Sequence, residues 1–257
     1  MNSRAFLPAA ALLVAIAELA TASQGAINPN AHPIASRADT VGEHAPRTGH
    51  PVAPGPVDNP APSRWQPTFD AFAAADLANP PLEGGVLFVG SSSIRLWTGL
   101  ERQFGNLPVV INRGFGGSQL SDCVKHLSRL VIQYRPGTVL VYAGDNDLAA
   151  GNHPEEVLRR FTRFVEGVRR ELPGTRIAFI SIKPSPSRIA LLPAIRQTNA
   201  LIRDYVSSGA NLEFIDIHTP MLDVYGKPRG ELFRADALHL NDDGYALWKR
   251  VITRHVR

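Results

Sequence analysis

Residues 86–94 read Val-Leu-Phe-Val-Gly-Ser-Ser-Ser-Ile. The four leading apolar residues predict a short strand covered on both faces, because a strand with one solvated face would alternate apolar and polar residues. The glycine and three serines that follow mark a turn into a helix, since serine is favoured at helix N-termini. The stretch therefore predicts a buried strand that delivers a serine to the start of a helix.

Similar apolar runs recur along the chain, with helical patterns between them. Strands are predicted at residues 86–89, 109–112, 138–142, 177–182 and 212–217. Helices are predicted near residues 69–77 and at 120–134, 154–172, 191–206 and 245–255. This alternation predicts an α/β fold, a three-layer α/β/α sandwich with a mostly parallel sheet of about five strands and right-handed crossovers. Ligands of such sheets bind beyond the carboxyl ends of the strands.

The N-terminal region has the pattern of an export signal. An apolar run at residues 6–20 follows Arg4, and small residues suited to cleavage stand at positions 20–22. The run is too short and too interrupted to span a bilayer comfortably, which favours a signal peptide at residues 1–22 over an uncleaved anchor. We therefore expect an exported protein, periplasmic or secreted, that is not stably inserted in the membrane after cleavage.

Composition changes again between the signal and the folded part. Residues 23–63 are rich in proline and poor in large apolar side chains. Such a segment cannot bury enough surface to offset its ordering entropy, so we predict a disordered linker there. The folded domain is then predicted at residues 64–257.

Charge and cysteine usage exclude some other functions. The 27 basic and 23 acidic residues give a formal charge of only +4. Five arginines cluster in one predicted helix, but no nucleic-acid-binding motif accompanies them, so we expect a solvated helix face and no nucleic-acid partner. Those arginines are Arg159, Arg160, Arg163, Arg169 and Arg170. Cys123 is the only cysteine, and its spacing from neighbouring leucines predicts a buried structural thiol.

Residue types suited to catalysis stand where the predicted strands end. The loop at residues 112–118, Asn-Arg-Gly-Phe-Gly-Gly-Ser, allows close approach to the backbone or a tight turn. Residues 144–147, Gly-Asp-Asn-Asp, offer a helix cap or a side-chain amide donor. At residues 236–239, Asp-Ala-Leu-His, a carboxylate can orient an imidazole and support its charge when the ring takes a proton from a serine. The alternative for this last motif is an exposed turn.

Together and in this order, these motifs resemble the conserved blocks of the SGNH (GDSL-like) hydrolase family. Residues 90–92, 114–117, 144–147 and 236–239 match in turn the family's Gly-x-Ser, glycine, Gly-x-Asn-Asp and Asp-x-x-His blocks. The resemblance spans roughly residues 65–255, and it implies the family's flavodoxin-like fold. Ser91 replaces the aspartate that gives the GDSL motif its name, which resembles the Gly-Ser-Ser-Ser branch.

The resemblance implies a serine esterase that works through a covalent acyl-enzyme, with no metal or cofactor. Ser92 would be the nucleophile, His239 the general base and Asp236 the residue that orients it. The oxyanion would be held by the N–H groups of Ser92 and Gly117 and the side-chain amide of Asn146. We expect small-molecule or glycan substrates, either short-chain acyl esters or carbohydrate O-acetyl esters, because no lid insertion is evident. The stretch 183–193, with Pro184, Pro186 and two flanking basic residues, is a candidate wall of the pocket.

Two other functions compete with this interpretation. A metal-dependent phosphoesterase would use residues 144–147, 151–153 and 216–218, although the order and spacing of these blocks do not fit that class. A non-catalytic carbohydrate-binding module would use Trp97, Phe115 and Trp248 as its surface. Core packing is the ordinary fate of aromatic residues near a sheet, which weakens this second alternative.

Overall fold

The structure is a computed structural model that describes residues 63–256 of the chain. The predicted signal peptide at residues 1–22 and the predicted linker up to residue 62 lie outside the described residues. Within residues 63–256, no helix combines the length and the apolar character needed to cross a bilayer.

One parallel sheet forms the centre of the fold. Its strands are β1 (Val86–Gly90), β2 (Val110–Gly114), β3 (Thr138–Tyr142), β4 (Arg176–Ile180) and β5 (Leu212–Ile215). They are ordered β2-β1-β3-β4-β5, and every neighbouring pair is parallel. Gly90 is level with Gly114 and with Tyr142, so the first three strands end at the same edge.

Nine α-helices lie in the described part of the chain. They are α1 (Gln66–Ala78), α2 (Ser92–Arg95), α3 (Leu100–Gln103), α4 (Leu120–Lys125), α5 (Leu127–Leu130), α6 (Asp145–Ala149), α7 (Pro154–Glu171), α8 (Leu192–Ser207) and α9 (Asp242–Ile252). Short 3₁₀ turns occupy Ile132–Tyr134, Pro186–Leu191, Thr219–Met221 and Gly230–Leu232.

The helices cover both faces of the sheet. Leu87 and Val89 of β1 point into one core with α1, α4, α7 and α8, while Phe88 points into a second core with α2, α3 and α9. This division follows from the alternation of side chains along a strand. The prediction of a three-layer α/β/α sandwich with a five-stranded parallel sheet is confirmed.

The aromatic residues considered for carbohydrate binding belong to these cores. Trp97 and Trp248 pack edge to face in the second core, with ring centroids 5.9 Å apart. Phe115 lies in the first core against Trp65. All three side chains are at most 1% exposed, so they cannot form the surface that a carbohydrate-binding module needs.

The predicted helix at residues 120–134 is broken into α4, α5 and a 3₁₀ turn. The break falls at His126, whose ring packs against Phe69 and Trp65 with centroids 4.8 and 6.1 Å apart. Leu127 approaches α7 so closely that a Cβ at Gly167 would lie 2.5 Å from its Cδ2 atom. Contacts with α1 and α7 therefore outweigh the local preference for one continuous helix.

The last helix begins three residues before the predicted start at Tyr245. The side chain of Asn241 accepts a hydrogen bond from the N–H of Gly244 at 3.0 Å and so caps the helix. Asp242 and Asp243 lie in the first turn, where negative charge is favoured by the helix dipole. The capping residues thus extend α9 toward the segment that carries residues 236–239.

Candidate active site

The first strand is shaped to place a serine at the sheet edge. Gly90 has a φ of +140°, and a Cβ there would lie 1.8 Å from the carbonyl oxygen of Tyr142 on β3. Only glycine fits this position, and the N–H of Ser91 then bonds to that same oxygen at 3.0 Å. The chain can therefore leave β1 and enter α2 directly, with Ser92 as the first helical residue.

The three consecutive serines have different surroundings. Ser91 and Ser93 are fully buried, whereas Ser92 is partly exposed. The Oγ atom of Ser92 lies 3.0 Å from Nε2 of His239. Ser92 is therefore the serine whose hydroxyl reaches both the imidazole and the surface.

Asp236 holds the other side of the imidazole. Its Oδ2 atom lies 2.6 Å from Nδ1 of His239. Its Oδ1 atom accepts the backbone N–H groups of Leu238 and His239, each at 2.9 Å. Ala237, with a φ of +54°, turns the chain back so that one short loop makes all three contacts.

These contacts fix the charge of Asp236 and the tautomer of His239. Hydrogen bonds from the His239 backbone, the His239 ring and the Leu238 backbone hold the pKa of Asp236 well below its usual range. An ionised Asp236 accepts a hydrogen bond from the N–H at Nδ1 of His239, which leaves the lone pair of Nε2 directed at Ser92. The site therefore has an imidazole able to accept the serine proton.

The glycine loop after β2 is anchored by the start of the folded region. The indole N–H of Trp65 donates to the carbonyl of Gly116 at 2.8 Å, and Arg64 donates to the carbonyl of Gly117 at 3.0 Å. Gly117 has a φ of +70°, which favours glycine. The N–H groups of Ser92 and Gly117 donate no hydrogen bond to any acceptor in residues 63–256.

Asn146, in the first turn of α6 just after β3, contacts the same glycine loop. Its Nδ2 donates to the carbonyl of Ser118 at 3.0 Å, and its Oδ1 accepts from Nη2 of Arg188 at 2.8 Å. One N–H of the amide remains for another acceptor. The structure thus brings together Ser92, His239 and Asp236 by direct contacts, and joins Asn146 to the loop of Gly117.

The sequence predicted two cationic residues at this site only as part of a pocket wall, with no chemical role. Lys183 and Arg188 form ion pairs with Oδ2 of Asp145 at 2.7 and 3.1 Å. Both lie in the proline-containing stretch that we considered as a wall of the pocket. The signal available in the sequence was their position in the segment that follows a buried strand at the functional edge of the sheet.

The arginine cluster of α7 is not simply a solvated face. Arg160 is only 16% exposed and forms an ion pair with the fully buried Asp147 at 2.8 Å. Asp147 also accepts the N–H of Leu120, which ties α6 to α4 and α7. Arg169 donates to four backbone carbonyls near the ends of α7 and β5. Arg160 and Arg169 therefore stabilise the scaffold.

The residues that the phosphoesterase alternative would use as metal ligands form hydrogen bonds to other residues of the same chain. Asp216 accepts the N–H and the hydroxyl of Thr219, and Nδ1 of His218 lies 3.0 Å from the carbonyl of Ile182. Asn152 bonds to Asp147 and Arg160. Across residues 63–256, no three His, Cys, Asp or Glu side chains are grouped so that they could hold a metal ion. The geometry therefore gives this alternative no support.

Several solved structures share this fold. A protein from Streptococcus pneumonia, provisionally described as a platelet activating factor, has a TM-score of 0.65 and 22% identity over 75% of this chain and 92% of that chain. A GDSL-like lipase from Bacteroides thetaiotaomicron has a TM-score of 0.61 and 20% identity, covering 73% and 96%. A variant of an acetyl-xylooligosaccharide esterase from Geobacillus Stearmophilus has a TM-score of 0.57 and 16% identity, covering 68% and 98%.

Sequence comparison gives the family. No curated protein sequence matches the chain. The sequence model of the GDSL-like Lipase/Acylhydrolase family matches residues 87–247, which is more than half of the chain and includes Ser92, the glycine loop, Asn146 and the segment 236–239. The chain therefore belongs to the GDSL-like lipase/acylhydrolase family and is a hydrolase of ester bonds.

Proposed function

We propose that the protein is a serine esterase in which Ser92, His239 and Asp236 form the catalytic triad. The observation that carries this proposal is the continuous series of contacts from Asp236 to His239 at 2.6 Å and from His239 to Ser92 at 3.0 Å. Such a series gives the weakly acidic hydroxyl a base and gives the base an orienting anion.

In the first half-reaction, Oγ of Ser92 attacks the ester carbonyl while Nε2 of His239 takes the proton of the Ser92 hydroxyl. Asp236 stabilises the imidazolium that forms. The negative charge on the carbonyl oxygen is held by the N–H groups of Ser92 and Gly117 and by the side-chain amide of Asn146. The tetrahedral intermediate collapses to an acyl-enzyme as His239 passes its proton to the departing alcohol.

In the second half-reaction, water attacks the acyl-enzyme. His239 takes a proton from that water, and a second oxyanion forms in the place of the first. Collapse releases the acid and returns the proton to Ser92. The residues therefore supply nucleophile, base and oxyanion donors for both steps.

We infer that the substrates are short-chain acyl esters or O-acetyl esters of carbohydrates. The side chains of Asp236 and His239 are 47% and 24% exposed, so the reacting atoms lie at an open surface. An open site accommodates a bulky polar alcohol such as a sugar beside a small acyl group. The Geobacillus protein of similar fold is an acetyl-xylooligosaccharide esterase, which is in keeping with this substrate class.

We also propose that the protein is exported and that residues 64–257 form the catalytic domain. The support for export is the signal-peptide pattern of residues 1–22. N-terminal sequencing of the protein recovered outside the cytoplasm tests this, and we expect a new N-terminus just after Ala22. Retention of the intact chain in the membrane fraction would contradict cleavage.

The central experiment measures hydrolysis of p-nitrophenyl acetate by the purified protein and by Ser92→Ala, with and without EDTA. We expect activity that survives EDTA and is lost in the variant. Activity that persists in Ser92→Ala would refute the nucleophile. Activity that EDTA abolishes would refute the metal-independent mechanism and favour the phosphoesterase-like alternative.

A further inference from the structure

A group of buried polar side chains lies behind Asn146 and has no part in the triad. Lys183 and Asp145 have side chains only 1% and 5% exposed, and their charged atoms are 2.7 Å apart. Lys183 also donates to the hydroxyl of Tyr142 at 3.0 Å. Arg188 adds a second cation, 3.1 Å from the same carboxylate oxygen. Two cationic side chains therefore share one anionic partner.

The charge state of Asp145 follows from this arrangement. Burial by itself would raise the pKa of Asp145, but the charges of Lys183 and Arg188 outweigh burial and lower that pKa. The carboxylate is therefore ionised at neutral pH. With Lys183 as a close partner, Asp145 does not depend on Arg188 alone for charge compensation.

Arg188 extends from this group to the side chain of Asn146. Its Nη2 donates to Oδ1 of Asn146 at 2.8 Å, while Nδ2 of Asn146 donates to the carbonyl of Ser118 at 3.0 Å. If the Asn146 amide were turned by 180°, its NH₂ group would face the guanidinium of Arg188 and its oxygen would face the carbonyl of Ser118. Both of these contacts are repulsive. Arg188 therefore fixes the orientation in which Asn146 presents N–H groups toward the glycine loop.

The segment that carries Arg188 is itself held against the triad loop. The N–H of Ser187 donates to the carbonyl of Ala237 at 3.0 Å, and the N–H of Arg188 donates to the carbonyl of Ser185 at 3.0 Å. Ala237 is the residue between Asp236 and Leu238 that adopts the left-handed conformation. The turn that contains Ser187 and Arg188 thus contacts both the loop of Asp236 and His239 and the side-chain amide of Asn146.

We propose that Arg188 is a positioning residue for ester hydrolysis, which holds the Asn146 amide as an oxyanion donor and places positive charge behind it. The inference rests on the proposed function, because it assumes that Asn146 binds the oxyanion. A cation on the amide oxygen polarises the amide and strengthens its N–H as a donor, and this effect is largest where water is excluded. The stronger hydrogen bond from the Asn146 amide acts only when the oxyanion forms. Arg188 should therefore raise kcat more than it lowers KM.

The test compares Arg188→Met, Arg188→Lys, Asn146→Ala and the double variant Arg188→Met/Asn146→Ala on p-nitrophenyl acetate. Loss of one oxyanion donor lowers turnover by about 10²–10³-fold, so we expect a loss of that size for Asn146→Ala. Arg188→Met should lower kcat by at least about tenfold, and by no more than Asn146→Ala does. KM should change little. A lysine cannot contact Asp145 and Asn146 in two directions at once, so the kcat of Arg188→Lys should lie between those of the wild type and Arg188→Met.

The double variant separates positioning from a general structural effect. If Arg188 acts through Asn146, then Arg188→Met has no further effect once Asn146 is alanine. Arg203→Met is the matched control, because Arg203 pairs with Asp216 at the surface and is 54% exposed, and we expect unchanged kcat. Thermal unfolding of each variant verifies folding, and Arg188→Lys supplies the comparison if the methionine variant is unstable.

Different outcomes refute different statements. Wild-type kcat in Arg188→Met, or losses that multiply in the double variant, would overturn the role of Arg188 while leaving the triad intact. Wild-type kcat in Asn146→Ala would instead refute the oxyanion assignment on which the inference rests. Activity in Ser92→Ala would refute the proposed function itself.

Discussion

Ser92 Oγ and His239 Nε2 lie 3.0 Å apart, although 147 positions separate the two residues in the chain. Packing of α9 on α2 supports this distance. The hydroxyl of Tyr245 donates to the carbonyl of Ser93 at 3.0 Å, and its ring stacks on Trp97 with centroids 5.1 Å apart. The separation between nucleophile and base is therefore set by buried contacts and not by an exposed loop alone.

The first prediction concerns which serine reacts. A fluorophosphonate ester should form one covalent adduct, on Ser92, because Ser91 and Ser93 are fully buried and only Ser92 contacts the imidazole. Mass spectrometry of the digested protein locates the adduct. Ser91→Ala should be labelled like the wild type, whereas His239→Ala should react far more slowly. An adduct on Ser91 or Ser93 would contradict the assignment.

The second prediction concerns Asp236. Asp236→Asn should lower kcat by about 10⁴-fold, because an amide donates to Nδ1 and stabilises the wrong tautomer of His239. Thermal unfolding should show that the variant is folded. A variant with turnover close to that of the wild type would show that the carboxylate has no role in orienting the ring.

The third prediction is a pH profile. A lowered pKa means that Asp236 keeps its charge until the pH falls below the ordinary carboxyl value of about 3.9. Asp236 therefore stays ionised throughout the range above that value, and its protonation contributes nothing to any loss of activity there. We expect the acid limb of log kcat/KM of the wild type to have a slope no steeper than one down to about pH 4, because Asp236 adds no second ionisation there. A slope of two in that range would contradict the charge state given to Asp236.

Much of the fold follows from local pattern. The continuous apolar runs at residues 86–89 and 138–142 predicted buried parallel strands because no other common strand environment excludes polar residues on both faces. Asn241 carries a local signal that apolar periodicity does not contain: it is followed by two aspartates and is the N-cap of α9. Helix boundaries of this kind depend on capping as well as on apolar periodicity.

Other features depend on contacts that no local pattern contains. The break at His126 reflects its packing on Phe69 and Trp65, which are more than fifty residues away. Lys183 and Arg188 lie 38 and 42 positions from the residues that they bind, Asp145 and Asn146. A basic residue is ordinarily assigned to the surface, so only the folded arrangement identifies the buried Lys183 and the partly buried Arg188 as partners of the site.

The fourth prediction tests the turn that delivers Ser92. Gly90→Ala should destabilise the protein by on the order of 3 kcal/mol or more, because the added Cβ would lie 1.8 Å from the Tyr142 carbonyl oxygen and φ is positive. Gly174→Ala is the matched control, since no atom lies within 4 Å of its Cβ position and its φ is not in the left-handed region. That control should be neutral or stabilising by up to about 1 kcal/mol in urea unfolding. Equal stabilities for the two variants would contradict this account of the β1–α2 turn.

The last prediction concerns Cys123, which is fully buried in the first core. Burial, and then the nearby charges of Asp147 and Asp122, raise the pKa of its thiol well above the usual range. Because the thiolate is the reactive form, the native protein should not react with a disulfide reagent such as DTNB at neutral pH. Denaturant should release one equivalent of reactive thiol per chain, and Cys123→Ala should keep esterase activity. Stoichiometric labelling of the native enzyme would show that α4 opens without global unfolding, and parallel loss of esterase activity would place the thiol in contact with the reaction.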